Sequence, residues 1–203
     1  LGKLVTFTAK EYPYRTAVIT NSSMLWDKDV RRELSSASLV VPSLDAANEE
    51  VWRKLNRPAP DLEFDKVMDG LSAFCEEFDG EIWLEILLVD GINDSEGHLA
   101  QLAERARALR TTKIQIHTVT RPPAELGIST ASLEKLQTLA DLLGERSEIV
   151  HPKLAMQAVT DIVSAQQILD MISRRPCTAE DIAIGLGVNQ NVVSKVTGAL
   201  LDS

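Results

Sequence analysis

Apolar and polar positions alternate in two registers along this chain. Short stretches with a period of two are separated by longer stretches with a period near 3.6, the patterns of strands and amphipathic helices. Thr16-Ala17-Val18-Ile19-Thr20, Leu39-Val40-Val41-Pro42-Ser43-Leu44, Ile82 to Val89 and Lys113 to Thr118 read as four strands. Between them, Val30 and Leu34, then Val51, Trp52 and Leu55, then Phe64, Val67, Met68, Leu71, Phe74, Cys75 and Phe78, mark helices. Leu99, Leu102, Ala103, Ala106 and Leu109 mark another, and Leu133, Leu136, Ala140 and Leu143 the next. An opening helix over residues 1–11 places Leu4, Val5 and Ala9 on one side, and an apolar stub at Ile149-Val150 closes the series. Strand–helix alternation of this kind predicts right-handed crossovers and a parallel sheet.

One strand departs from the ordinary pattern of such sheets. In Lys113-Ile114-Gln115-Ile116-His117-Thr118 the odd positions are polar, and Glu85 shares a face with Trp83 and Leu87. A parallel strand covered on both sides is apolar throughout. These strands therefore have one face against the core and one lining a cavity. Pro42 inside the second strand suggests an edge or a bulge.

From residue 151 the strands cease, and the chain divides into an α/β part, 1–150, and an all-helical part, 151–203. In the latter, Ala183, Gly187 and Val193 have the spacing of a helix-turn-helix, with Gly187 turning the chain and Val193 packing inward. Residues 160–203 carry Arg174, Arg175 and Lys195 against Asp161, Asp170, Glu180, Asp181 and Asp202, a net charge of −2. With little counterion release available, this argues against DNA and for a protein partner. The whole 203-residue chain carries −9, which speaks against general nucleic-acid binding. No apolar run approaches membrane-spanning length and no secretory signal is present, so a cytoplasmic location is expected.

Candidate chemistry collects at the carboxyl ends of the strands, where parallel α/β folds bind ligands. Those positions are Asn21 with Ser22 and Ser23, Ser43 and Asp45, Asn93 and Asp94, and His117. Arg57 and Arg121, each followed by proline, suit an anion clamp on a carboxylate or phosphate. Asn, Ser and Asp at strand ends are also ordinary turn residues, so the set carries the argument rather than any one member. Glycine-rich phosphate loops, a nucleophile elbow and His-x-x-x-His are absent. Cys75 and Cys177 are the only cysteines, too few for a cysteine-rich metal site.

Val18-Ile19-Thr20-Asn21-Ser22-Ser23, Pro42-Ser43-Leu44-Asp45-Ala46, Asn56-Arg57-Pro58, Leu88-Val89-Asp90-Gly91-Ile92-Asn93-Asp94 and Arg121-Pro122-Pro123 follow one another in this order. Together, over residues 1–145, they resemble the radical S-adenosylmethionine (SAM) enzymes. The nearest likeness is to an iron–sulfur oxidoreductase branch with activating-enzyme and wybutosine-synthesis relatives. The resemblance implies a partial (β/α) barrel lacking its first strands, with SAM in the lumen above a [4Fe–4S] cluster and a 5′-deoxyadenosyl radical as product. By that analogy Ser43 and Asp45 face the ribose, Asn93 and His117 approach the methionine and adenine parts, and Asn21 lines the mouth.

The family's Cys-x-x-x-Cys-x-x-Cys motif is absent, so a cluster depends on cysteines upstream of this sequence. As written, the chain is expected to be inactive in radical chemistry, and its first strand to be an open edge prone to self-association. The alternative expectation is a non-catalytic regulator, binding a small molecule in the barrel and a protein or DNA through the helix-turn-helix. The substrate is not legible.

Overall fold

A computed structural model describes residues 2–120, 128–150, 165–173, 176–188 and 190–201, with only the backbone at 191, 195 and 201. The chain divides into two compact units near residue 150. In the first, helix α1 (Gly2–Glu11) precedes β1 (Ala17–Thr20), α2 (Lys28–Leu34), β2 (Leu39–Pro42), α3 (Glu49–Asn56) and α4 (Phe64–Glu77). There follow β3 (Glu81–Leu88), α5 (Glu96–Ala108), β4 (Lys113–Thr118), α6 (Leu133–Leu143) and β5 (Ser147–Ile149). The five strands are all parallel and lie in chain order, β1-β2-β3-β4-β5.

Because each crossover joins adjacent strands with one hand, α2, α4, α5 and α6 gather on one side of the sheet. Val18, Val40, Ile82, Leu84, Ile86, Leu88, Ile114 and Ile116 point to that side, into one cluster with Leu71, Phe74, Leu99, Leu102, Leu136 and Leu139 of the helices. The intervening residues occupy the opposite face. In β3 and β4 burial alternates strictly, with Trp83, Glu85, Leu87, Lys113, Gln115 and His117 half-buried. The two-faced strands expected from the period-two pattern are thus present.

Helix starts follow local chemistry. Asn48, Ser95 and Ser132 each accept a hydrogen bond from a backbone N–H two or three residues into α3, α5 and α6, satisfying donors that a helix start leaves open. Two expectations need correction. Of Leu4, Val5 and Ala9, only Val5 is buried, because α1 meets α2 through Gly2, Val5 and Thr6 and turns Leu4 outward, 63% exposed. Pro42 is neither on an edge strand nor at a bulge; β2 is flanked by β1 and β3, and Pro42 is its last residue. The stub near Ile149 is a fifth strand, in register with Ile114–Ile116. Strand β1 has an open edge, with Ile19 75% exposed.

The second unit comprises α7 (Ala165–Ile172), α8 (Ala179–Leu186) and α9 (Gln190–Leu201). Thr178 and Asp181 form a reciprocal capping box at the start of α8, and Gly187 ends it at φ 67°, a left-handed conformation that favours glycine. Ile168, Ile182, Ala183, Val188 and Val193 are its buried core.

Gly70 sits where α4 crosses the β1–α2 loop, and a Cβ there would overlap the backbone of Trp26. Helix propensity alone favours alanine by about 1 kcal/mol. The overlap outweighs it, and Gly70→Ala is expected to lower the unfolding free energy by about 1–3 kcal/mol. Equilibrium denaturation measures this, and a stabilised variant would contradict the close approach.

Candidate functional site

The site begins where the β2–β3 ladder fails. Leu39 and Val40 pair with Glu81 and Ile82, but Pro42 has no N–H to donate. Pairing resumes beyond it through Leu44, whose N–H donates to Glu85 O, and then through a side chain. Asp45 Oδ1 accepts from Leu87 N–H at 2.9 Å, taking the place of a ladder carbonyl. Asn93, wholly buried, completes the stitch. Its Oδ1 accepts from Val89 N–H at 2.7 Å, and its Nδ2 donates to Leu87 O at 2.7 Å and Asp45 O at 2.8 Å.

The second carboxylate oxygen of Asp45 accepts from Asn56 Nδ2 at 2.8 Å, which ties the corner to the end of α3. An ionised carboxylate offers about four lone-pair directions, so Asp45 keeps capacity for further donors. Burial pushes its pKa above the ordinary carboxylate value; the bonds from Leu87 and Asn56 pull it down, Glu85 adds to the rise and His117 opposes it.

Beside this corner lies the open face of the sheet. Ser43 is bridged to Glu85, and Glu85 Oε1 is 3.6 Å from His117 Nε2, with both side chains about 30% exposed. Gln115 donates to Glu148 at 2.7 Å, and Lys113 pairs with the same carboxylate at 3.2 Å while lying 4.7 Å from the Trp83 ring centre. The Gln115 bond, with Lys113, holds the Glu148 carboxyl below its ordinary value. The face therefore carries two carboxylates, a lysine and a histidine around the apolar Leu87 and Trp83.

A cavity of about 380 Å³ opens between the end of β1 and the end of α3, with Asn21, Trp52, Asn56, Arg57 and Asp61 among its lining residues. Two of these were anticipated from sequence, Asn21 and Arg57. Asn21 is exposed and accepts from the N–H and hydroxyl of Ser23, an Asx turn. Arg57 ends α3 with a left-handed backbone, φ 46°. The only other non-glycine with positive φ among the described residues is Ser22, φ 64°, whose buried hydroxyl donates to Ser43 O at 2.8 Å. Ser43 Oγ points back to Thr20 O at 3.4 Å.

The structure thus gathers Ser43, Asp45, Asn93 and His117 around the ends of β2–β4. Asn21 and Arg57 line the adjoining cavity, joined to Asp45 through Asn56. Arg121 lies outside the described residues, as does His151. Sequence reasoning did not single out Asn56 or Glu148. Asn56 carries no signal beyond its place in Asn56-Arg57-Pro58, and Glu148 lies in a strand too short to show a period.

With this geometry in hand, comparison with known proteins is informative. No family model matches the chain. It is 31% identical over 198 residues to the protein named GTPase Obg of Brachyspira hyodysenteriae, across 92% of this chain and 28% of that protein. It is 32% identical over 136 residues to a UPF0026 protein of Methanocaldococcus jannaschii, across 67% of this chain and 42% of the relative. A UPF0026 protein of Helicobacter pylori is 26% identical over 177 residues, 86% of this chain and 56% of the relative. The chain thus spans between about a quarter and just over half the length of these relatives.

Among solved structures, a domain of pyruvate-formate lyase-activating enzyme from Bacteroides vulgatus superposes with TM-score 0.59 at 18% identity, over 74% of this chain and 89% of that one. TYW1 with a lysine-pyruvate adduct bound gives 0.56 at 19% identity, over 72% and 45%. A radical SAM methyltransferase from Sphaerobacter thermophilus gives 0.52 at 20%, over 66% and 39%. In fold, the chain resembles radical SAM domains. The likeness expected from the ordered motifs is met at the level of architecture.

The raised Asp45 pKa fixes the sign of its effect on stability. A carboxyl that titrates higher when folded stabilises in its protonated form, fully below its ordinary value of 3.8, and that contribution is lost as pH rises through the folded value. Asp45→Asn keeps an acceptor for Leu87 N–H without the charge and is expected to match or exceed the parent's stability at pH 7. Asp45→Ala leaves the buried N–H unpaired and is expected to lose about 1–3 kcal/mol. Denaturant titrations of both variants at pH 4.5 and 7 check the order.

Proposed function

We propose that this chain is the distal part of a radical SAM iron–sulfur oxidoreductase and that its Asp45 corner and open sheet face bind SAM. The observation that carries this reading is the half-satisfied Asp45 carboxylate, set at a strand end beside a wet, acidic sheet face in a radical SAM-like fold. A zwitterionic, polyhydroxylated ligand needs such partners: a carboxylate for hydroxyls, and carboxylates and amides for ammonium and sulfonium charge. In this reading Ser43 and Asp45 face the ribose, His117 faces the adenine or methionine part, and Asn21 and Arg57 serve the cavity next to them. Asn93 has its amide committed to three backbone groups and acts by positioning Asp45.

The residues present do not fit a [4Fe–4S] cluster. Cys75 is buried in the first unit's core, its thiol pushed up to about 12 by burial, whereas cluster ligands are thiolates. Cys177 belongs to the second unit, and among the described residues no three His, Cys, Asp or Glu side chains are grouped to hold a metal. We therefore derive no radical step from this chain; a cluster would require cysteines supplied upstream of it. That misfit favours a second reading, a non-catalytic module that binds a small molecule and signals through its helical unit. The likeness to GTPase Obg covers 28% of that protein, and this chain contains no glycine-rich phosphate loop, so nucleotide hydrolysis forms no part of either reading.

In the helical unit, Ala183, Gly187 and Val193 have the packing a helix-turn-helix needs, and its net negative charge favours a protein partner over DNA. No described helix is long and apolar enough to cross a membrane, in keeping with a cytoplasmic role.

Calorimetric titration of the purified chain with SAM is expected to show saturable one-to-one binding. Asp45→Ala should weaken it by at least about tenfold, the loss of one charge-assisted hydrogen bond. Anaerobic reconstitution should leave far less than one cluster per chain. Absence of binding would remove the SAM reading, and four irons per chain would overturn the cluster-free one.

A further inference from the structure

The loop from Ser43 to Asn48 carries the Asp45 corner, and it is held from behind by a buried imidazole. His98, in the first turn of α5 and 6% exposed, accepts from Ala47 N–H through Nε2 at 3.3 Å. Its Nδ1 lies 3.5 Å from Asn48 Nδ2. Asn48 Oδ1 is engaged as the cap of α3, accepting from Val51 N–H at 3.0 Å, which leaves the NH₂ turned towards the ring. Helix α3 ends at Asn56, the donor to the second Asp45 oxygen. From the Ala47–Asn48 segment that His98 holds, α3 thus leads to the second oxygen of the Asp45 carboxylate.

An acceptor at Nε2 requires that nitrogen to be bare, so the neutral ring carries its proton on Nδ1. The Nδ1–H therefore gains no hydrogen bond from the Asn48 NH₂ at 3.5 Å, and the Nε2 contact alone holds the segment. Protonation would put an N–H on Nε2 as well, so that donor would meet donor at Ala47 and the hydrogen bond would be lost. The charged residues that flank these contacts along the chain are Asp45 in the loop, Glu49 and Glu50 at the start of α3, and Asp94 and Glu96 beside the start of α5. None of these hydrogen-bonds or ion-pairs with the ring among the described contacts, and burial alone holds its pKa below the ordinary value.

We propose that His98 is a positioning residue for the Asp45 corner: its neutral Nδ1–H tautomer holds the loop at Ala47 through Nε2, and protonation of the ring releases it. Any effect on a ligand rests on the SAM reading above, but the clamp itself does not. Since the folded pKa lies below the ordinary 6.5, the clamp's contribution to stability is complete above about 6.5. It declines as pH falls towards the folded value.

The test uses the full 203-residue chain. Nitrogen-15 spectra of the imidazole at pH 7.5 are expected to show Nδ1 protonated and Nε2 bare, and the reverse tautomer would overturn the proposal. Amide exchange at Ala47 and Val51, corrected for intrinsic rate and referenced to Leu139 in α6, should lose about tenfold or more of its protection between pH 7.5 and 5. His98→Gln, which keeps a neutral acceptor near the Nε2 position, should hold its protection at both pH values. PH-independent protection in the parent, or an equal loss in the variant, sinks the idea; if the variant does not fold, the tautomer and exchange of the parent decide. Titration with SAM at both pH values separates the two readings. Release without SAM binding at either pH keeps the clamp and removes the ligand, whereas pH-independent exchange with SAM bound does the opposite.

Discussion

The hydrogen bond from Leu87 N–H to the Asp45 carboxylate carries the architecture past a point where backbone chemistry cannot. Strand β2 ends at Pro42, in the interior of the sheet, where an unpaired backbone group is costly. Beyond that end side chains complete the pairing: Asp45 accepts from Leu87 N–H, and Asn93 bonds the backbone groups that follow. Two loops and a helix depend on that pairing. The β2–α3 loop carries Asp45, the β3–α5 loop carries Asn93, and α3 is tied in through Asn56. A polar corner at the strand ends is therefore a consequence of finishing the sheet, before any ligand is considered.

The other organising fact is that, among the described residues, the helices of the first unit's main core pack on one face of the sheet. Strands in chain order with one-handed crossovers put α2, α4, α5 and α6 on the same side, and their apolar residues share one continuous cluster with the strands. The opposite face cannot be apolar throughout without becoming a large exposed patch. Alternating Glu85, Gln115, His117, Lys113 and Glu148 with Trp83 and Leu87 keeps it wet and lets the polar groups partner one another.

Sequence legibility followed the range of the interactions concerned. The two-faced strands β3 and β4 were readable because six or eight residues suffice to show a period of two, and every even residue from Ile82 to Leu88 is buried as that period requires. Strand β5 was not readable as a strand: three residues, Ser147 to Ile149, contain a single large apolar side chain and are defined only by pairing with β4. In α1 the 3.6 period was real but its phase was misjudged, since Leu4 and Val5 are adjacent and only packing against α2 decides between them. The corner shows the same division. That Asp45 and Asn93 stand at strand ends was visible, but that Asn93 bonds backbone 48 residues away was not. Nor could the chain order reveal that His98, on the next helix, reaches Ala47.

These contacts bear on what kind of protein can use such a corner. Asn93 is wholly buried with both amide hydrogens committed and has no donor to offer a ligand, whereas Asp45 has spent about half of its acceptor capacity. A ligand bound there would add to a carboxylate already fixed in direction by two donors from separate elements, so little orientation remains to be lost on binding. The same fixing makes the corner sensitive to anything that shifts the Ala47–Asn48 segment, because Asn56 reaches Asp45 only while α3 starts where Asn48 caps it. Binding strength at Asp45 and integrity of the β2–β3 stitch are for this reason one property. A substitution that loosens the loop should weaken both, even when it touches neither the ligand nor the sheet.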